Sequence, residues 1–337
     1  MTTTLEQSTT KGDAAIEIID EHRATVNDHT RLDPLETEFN TLAHYLRSLG
    51  AGSLHLLYAD DNQAGTFKWR GAFNKAAALK EQGVERVVVP SAGNHARGAV
   101  LAARHFDLEA TIVVPTTAPP AKKEGLRDLW PSTQLRIIAQ GDNFNQSLEY
   151  ALDHPELGIP LHPFDDPDVI AGQGTLADDL DRSTSEPVNH IVVPVGGGGL
   201  LAGLAQRLAE QDNTRTQLHA VEPVGSNSLS RSLTAGEPVE VEQPNSRYGG
   251  SAVQKIGIET FRIIWENRDR ISMHMVSEEA VDATIADYLS DQRDWRWRLA
   301  TLEPTTIVAV AGLEHVILQR PGESVAVIGT GHNAPLI

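Results

Sequence analysis

Three short segments of this sequence combine residue types that could hold an anion or attack a carbonyl. Each stands between a β-rich run and an Ala/Leu-rich one. The first is Gly196-Gly197-Gly198-Gly199, directly after HIVVPV and ahead of a helix expected to start near Leu200. Successive glycines let backbone N–H groups crowd around an anion at a helix N-terminus, where the helix dipole also favours negative charge. A tight turn alone would need only one of them. The stretch Gly197-Gly198-Gly199-Leu200-Leu201-Ala202 also fits a dinucleotide-binding pattern, with Glu222 about 20 residues further on. Taken alone, the segment therefore leaves a phosphate loop and an NAD-binding Rossmann site both open. No Gly-Lys-Ser/Thr follows, which excludes a Walker A loop.

The second segment is Gly65-Thr66-Phe67-Lys68-Trp69-Arg70-Gly71-Ala72, which opens a helix running through Phe73 and Ala76-Ala77-Ala78. With Thr66 as N-cap, Lys68 and Arg70 fall in the first turn, where cations oppose the helix dipole and no acid is adjacent. A positive helix end and a second cation favour a neutral Lys68 amine, which is what Schiff-base chemistry requires. The bland alternative is a solvated lysine. The third segment is Ser91-Ala92-Gly93-Asn94-His95, after VERVVVP. Its exposed amides, hydroxyl, side-chain amide and imidazole at another helix start suit a small carboxylate, or Ser91 and Asn94 serve only as caps with His95 on the surface.

The elements that must position these segments follow from the remaining pattern. Runs rich in Val and Ile at 53–58, 84–90, 110–115, 134–139, 190–195, 217–223, 271–276 and 324–329 alternate with Ala/Leu-rich stretches. Near-continuous apolar strands with intervening helices mean parallel sheet covered on both faces. In such sheets ligands bind beyond the carboxyl ends of strands, where all three segments stand. Eight strands exceed one compact sheet of ordinary width. The Pro/Asp-rich stretch DHPELGIPLHPFDDP at 153–167 is the clearest composition break, so two lobes are expected.

Composition narrows the class. The 337 residues suit about two domains, and the absence of cysteine excludes disulfides, thiolate metal sites and cysteine nucleophiles. A net charge of −18 argues against nucleic acid and anionic membranes as partners. The polar, acidic start has neither a basic region nor an apolar core of a secretory signal, and no apolar run reaches membrane-spanning length, so a cytoplasmic protein is expected. Residues 1–33 show no sustained apolar period and read as a mobile or loosely packed extension. Asp178, Asp179 and Asp181 read as a solvated helix face, and the remaining histidines are scattered without metal-ligand spacing. Trp295 and Trp297 alternate with Arg296 and Arg298 as in a half-exposed strand of packing aromatics.

Taken together, TFKWRGA at 66–72, SAGNHARG at 91–98, FDDPDVIAGQGT at 164–175 and VPVGGGGLLAG at 193–203 resemble, in order and spacing, the fold-type II pyridoxal-phosphate enzymes. The nearest branch is the serine/threonine dehydratases, or ammonia-lyases, with serine racemase related; the likeness runs from about 50 to 333. It implies a two-lobed α/β fold in which each lobe is an open, mostly parallel sheet flanked by helices. The large cofactor-binding domain would cover 34–75 and 166–337, and the small substrate-side domain 76–165. It implies that Lys68 holds pyridoxal 5'-phosphate as a Schiff base beside Phe67. Gly196, Gly197, Gly198 and Gly199 would take the phosphate, Asn94 the 3-oxygen and Thr330 the ring nitrogen. Ser91, Gly93, Asn94 and His95 would surround the substrate carboxylate.

A neutral hydroxyl at the ring nitrogen favours fast β-elimination over long-lived quinonoid chemistry. Ala92 stands where racemase-like members carry an acidic serine, so the resemblance implies a lyase: a β-hydroxy amino acid such as L-threonine or L-serine yields a 2-keto acid and ammonia. β-Replacement or threonine-synthase-like chemistry is the nearest alternative. A homodimer is implied, and no metal site is expected, because Ser228 stands where some relatives place the second carboxylate of a site shared with Glu222. Departures from the family pattern gather near the expected pocket: the shortened lead-in LLYADDNQAG, His332 in place of a glycine, and Glu303-Pro304-Thr305-Thr306. They leave the β-substituent of the substrate open. The sequence stops at Ile337, just past the last motif, so isoleucine control through a C-terminal regulatory domain is not expected.

Overall fold

The computed structural model describes residues 9–185, 187–242, 244–291 and 301–333. Trp295, Arg296, Trp297 and Arg298 lie outside them. The strands are β1 (Arg31–Pro34), β2 (Leu54–Tyr58), β3 (Arg86–Pro90), β4 (Glu109–Val114), β5 (Leu135–Ala139), β6 (Ile159–Pro160), β7 (His190–Pro194), β8 (Gln217–Pro223), β9 (Ile271–Val276), β10 (Thr301–Leu302), β11 (Val325–Gly329) and β12 (His332–Asn333). Six form one sheet in the order β1-β2-β11-β7-β8-β9 and four form a second in the order β5-β4-β3-β6, while β10 and β12 make a short ribbon.

The small sheet is parallel throughout, and in the large one only β1 runs antiparallel. Strands β7 and β11 are buried along their whole length, as expected when helices cover both faces. All eight Val/Ile-rich runs are strands. The unforeseen β1 (Arg-Leu-Asp-Pro) is a short edge strand with a single core-facing leucine, and β6 contributes two residues ending in proline, so neither carries an apolar period.

The expectation of a loose N-terminal extension is overturned for the described part. Residues Lys11–His22 form a helix opened by a reciprocal cap, with Thr10 Oγ1 accepting from Asp13 N at 3.0 Å and Thr10 N donating to Asp13 Oδ2 at 3.2 Å. Ala15 and Ile19 of this helix are wholly buried. Its apolar stripe is only two or three residues long, so ion pairs complete its attachment.

Arg207 binds both Asp13 and Asp178 at 2.8 Å, and Arg23 binds Asp28 and Asp179. Asp178 and Asp179 are therefore buried partners, and only Asp181 of the three stays exposed. Helix propensity could not distinguish these states; the arginines that cover them come from distant segments.

The scattered histidines also converge. Neighbouring strands place His190, His219 and His274 in a row, with His219 Nε2 2.9 Å from His190 Nδ1 and His219 Nδ1 2.8 Å from His274 Nε2. Glu323 closes one end on His190 Nε2 at 2.6 Å, and His315 stacks on His274 at the other, with ring centres 5.9 Å apart. Among the described residues no grouping could hold a metal ion, and no helix is long and apolar enough to cross a membrane.

Candidate active site

The three chemical segments and the C-terminal motif leave the carboxyl ends of β2, β3, β7 and β11. The helix Trp69–Glu81 starts at Lys68, which is its N-cap; Thr66 lies two residues earlier and accepts from Lys68 N at 3.2 Å. This corrects the expected cap. The helix Asn94–His105 packs against that start so closely that a Cβ at Gly98 would stand 2.9 Å from the Trp69 backbone. The loop before Lys68 is pinned to the C-terminal motif, because Phe67 N donates to Thr330 O at 3.1 Å and His332 N to Gly65 O at 3.2 Å.

Lys68 Nζ donates to Pro163 O at 2.8 Å and lies 5.1 Å from the centre of the buried Phe67 ring. Burial lowers its pKa to about 8, against an opposing pull from Glu303. The second cation expected to depress it has another task. Arg70 is fully buried and reaches Asp179 at 2.6 Å, Asp28 at 3.3 Å and the hydroxyls of Thr175 and Thr30 at 3.0 Å. Desolvation, not Arg70, activates the lysine.

Gly198 caps the helix Gly199–Glu210 with φ +87°, a left-handed conformation that glycine adopts without strain. Neighbours press on the outside of the loop: a Cβ at Gly196 would overlap Gly250 O, and one at Gly197 the Phe164 ring. Among the described residues the amides of Gly196–Gly199 have no protein acceptor. Four unspent N–H groups at a helix start make a cradle that a phosphate fits.

Thr330 is buried, and its Oγ1 donates to Glu303 Oε1 at 2.7 Å while Asn94 Nδ2 donates to Glu303 Oε2 at 2.6 Å. Thr306 completes the group, its Oγ1 lying 3.0 Å from Thr330 Oγ1. Burial raises the Glu303 pKa, with Thr330 and Asn94 pulling the other way. Glu303 thus ties together the two side chains expected at the nitrogen and the 3-oxygen of a pyridine ring. Sequence reasoning noted it only as part of a departure. A glutamate before Pro304 at a helix start looks like an ordinary cap, but its carboxylate makes no cap bond.

The Ser91–His95 segment is divided. Gly93 N donates to Ser91 Oγ at 3.2 Å, and the first-turn amides of Asn94 to Ala96 have no intrahelical acceptor. His95 is buried with Nε2 2.8 Å from Leu161 O, and its Nδ1 has no partner. Burial and the nearby Lys68 push its pKa down to about 3, so it is neutral. Since its N–H is spent on a backbone carbonyl, His95 offers the cleft a lone pair rather than a donor for a carboxylate. Glu222 is likewise occupied, accepting from Leu229 N and Ser230 N at 2.9 Å each, and burial raises its pKa to about 7.

A segment that reads as an interlobe break turns out to be central. Leu161 O receives His95, Pro163 O receives Lys68, and Phe164 packs on Gly197 and Gly199. Asp165 accepts from Ile258, Glu259 and Thr260 amides at 2.8 to 3.0 Å.

The arrangement combines an activated amine, an anion cradle and buried polar groups suited to a heteroaromatic ring. The comparisons agree. The model of the family described as "Pyridoxal-phosphate dependent enzyme" matches residues 34–331, and the chain belongs to that family. The Rossmann reading of the glycine loop is thereby set aside. A threonine dehydratase of Nicotiana attenuata is 37% identical over 80% of this chain and 43% of its own length. An L-threonine ammonia-lyase of Thermotoga maritima is 34% identical over 86% of this chain and 69% of its own. The processed form of threonine deaminase isoform 2 from Solanum lycopersicum superposes with a TM-score of 0.82 at 28% identity, covering 99% of this chain and 88% of that one. The chain spans about half the length of most of the curated relatives it matches.

Proposed function

We propose that the protein is a lyase that removes ammonia from a β-hydroxy amino acid, L-threonine or L-serine, to give a 2-keto acid. The observation that carries the reading is the Lys68 amine, held on a backbone carbonyl at a pKa of about 8, together with the unspent amides of the Gly196–Gly199 loop. Relatives named threonine dehydratase and threonine ammonia-lyase support the choice of substrate.

Pyridoxal phosphate, when bound, supplies a sink for the electron pair left at Cα. Gly196–Gly199 would hold its phosphate, Asn94 its 3-oxygen, Thr330 its ring nitrogen, and Phe67 would flank Lys68. The substrate carboxylate is assigned to Ser91, Gly93 and the Asn94 amide, with His95 bracing that loop against Leu161. Lys68, neutral once displaced, takes the Cα proton, and a low pKa suits a base working near neutrality. Ala92 has no proton to give on the opposite face, which favours elimination over racemisation. The same reading places substrate binding in a small domain at 76–165, cofactor binding in the flanks 34–75 and 166–337, and two copies in a cytoplasmic homodimer; light scattering on the purified enzyme tests the last.

The functional test is a visible absorption band that borohydride abolishes and Lys68→Ala lacks, together with keto-acid release from serine, threonine, 3-hydroxyaspartate or phenylserine. A band without release from any of these would favour β-replacement. No band at all would overturn the proposal.

A further inference from the structure

We infer that His162 is a specificity-determining donor that binds the departing β-oxygen of the substrate through Nε2–H; the inference rests on the elimination reading above. His162 Nδ1 accepts from the backbone amides of Asp165 at 2.8 Å and Phe164 at 3.3 Å. Two backbone donors on one ring nitrogen leave it no hydrogen of its own, so the hydrogen of the neutral ring is on Nε2. Burial keeps the ring neutral, with a pKa of about 4. The tautomer is thus set by the turn that carries it, and among the described residues Nε2 has no protein acceptor.

Its position selects the atom it would meet. The ring is one residue from Pro163, whose carbonyl holds the Lys68 amine, and its other neighbour Phe164 packs on the glycine loop. Lys68, His95, Asp165 and Asp166 are the charged and titratable groups close enough to act on it. A substrate amine takes the place of the Lys68 amine, and the carboxylate is claimed by the amides on the opposite loop. On this assignment the free N–H takes the side where the β-substituent leaves. His95 cannot serve there, since its own N–H is bound to Leu161 O. A neutral imidazole N–H stabilises charge growing on oxygen without giving up its proton, as a fixed donor does in other sites of developing charge.

The two amide side chains separate the ring's two nitrogens. Asparagine places an acceptor where Nδ1 stands and keeps the turn but lacks the distal donor; glutamine places an N–H where Nε2 stands. In the holoenzyme, H162N should lower kcat/KM for threonine and serine by roughly 10²-fold, the typical cost of one such donor. It should leave elimination from β-chloro-L-alanine within about threefold, because chloride departs without needing that hydrogen bond. H162Q should recover at least about tenfold of the loss, and the visible cofactor band should persist in both. Parallel losses on the hydroxy and chloro substrates, H162Q no better than H162N, or a lost cofactor band would each overturn the assignment. A wild-type enzyme inert toward both hydroxy amino acids would bring down the functional reading and this assignment with it. An active wild type with parallel losses would sink only the assignment.

Discussion

Lys68 and Arg70 stand two residues apart at the start of one helix, yet they face regions built on opposite terms. On the Arg70 side, charges are paired with one another: Asp179 and Asp28 take the guanidinium, leaving its Nε without a partner, Arg23 shares both acids, and Arg207 joins Asp178 to the N-terminal helix. On the Lys68 side, apart from Glu303 and the Thr330 and Asn94 side chains bonded to it, polar groups keep free valences. The amine finds only a carbonyl, His95 Nδ1 has no partner, and one oxygen of the buried Asp60 is bare while the other lies 3.3 Å from His332 Nδ1. Saturated polar clusters hold a fold together, whereas unsatisfied ones cost stability and persist where a ligand completes them. The difference in charge pairing separates scaffold from candidate site within one helical turn.

The charge-paired side gives the largest expected effect. Arg70→Met leaves Asp179 and Asp28 buried with one fewer cation, and breaking such a pair from one side costs about 3–5 kcal/mol. The urea midpoint of the cofactor-free protein should fall accordingly at neutral pH. A change under about 1 kcal/mol would mean that Arg23 alone neutralises both acids and that the cluster is not the anchor of the N-terminal segment.

That anchor was invisible to sequence reasoning for a physical reason. The strands and the glycine, lysine and asparagine segments announce themselves locally, through apolar runs and through residue types that no local stability requires. Arg70, Asp178, Asp179 and the helix Lys11–His22 have meaning only as partners, and their partners are up to 194 residues away. His95 was legible only as a candidate, and its orientation, which Leu161 sets from another strand end, was not. Glu303 stood out only as part of a departure from the family pattern, and the 161–165 segment only as a break between lobes. Family membership and fold therefore emerged from local pattern, and the division of labour between neighbouring residues did not.

The histidine row sharpens the contrast, because its buried groups are titratable yet spent on each other. Burial, reinforced by neighbouring histidines, pushes His219 down to about 3 and His274 to about 4 from an ordinary 6.5. Glu323 and His190 face the row from one end and His315 from the other, with Arg320 adding a further cation nearby. The unfolded chain binds protons below about pH 6.5 while the native row refuses them, so stability is level above that pH and falls as acid is added. By about pH 5 the loss should approach 2 kcal/mol for each of the two rings. His219→Leu should be costly at about pH 8, where it strands two imidazole nitrogens. Between about pH 8 and pH 5, however, its stability should fall by about 2 kcal/mol less than that of the wild type. An unchanged acid slope in chemical denaturation would show that the row is solvated and belongs with the unsaturated side.

Lys68→Met should move stability the other way, by the smallest margin. The lysine's affinity for a proton falls from an ordinary 10.5 to about 8 on folding, so below about pH 8 the cofactor-free protein bears the full cost of charging a desolvated amine. That cost declines as pH rises and disappears near 10.5, where the unfolded chain also gives up its proton. Because Lys68 is only partly buried, solvent trims the effect, and a gain of about 1–2 kcal/mol at pH 7 is expected from the methionine. Urea titrations of both cofactor-free proteins should show the gain at pH 7 and its disappearance above about pH 10. A destabilised variant at pH 7 would mean that the amine is satisfied by contacts of the Arg70 kind, and the boundary drawn through this helical turn would not exist.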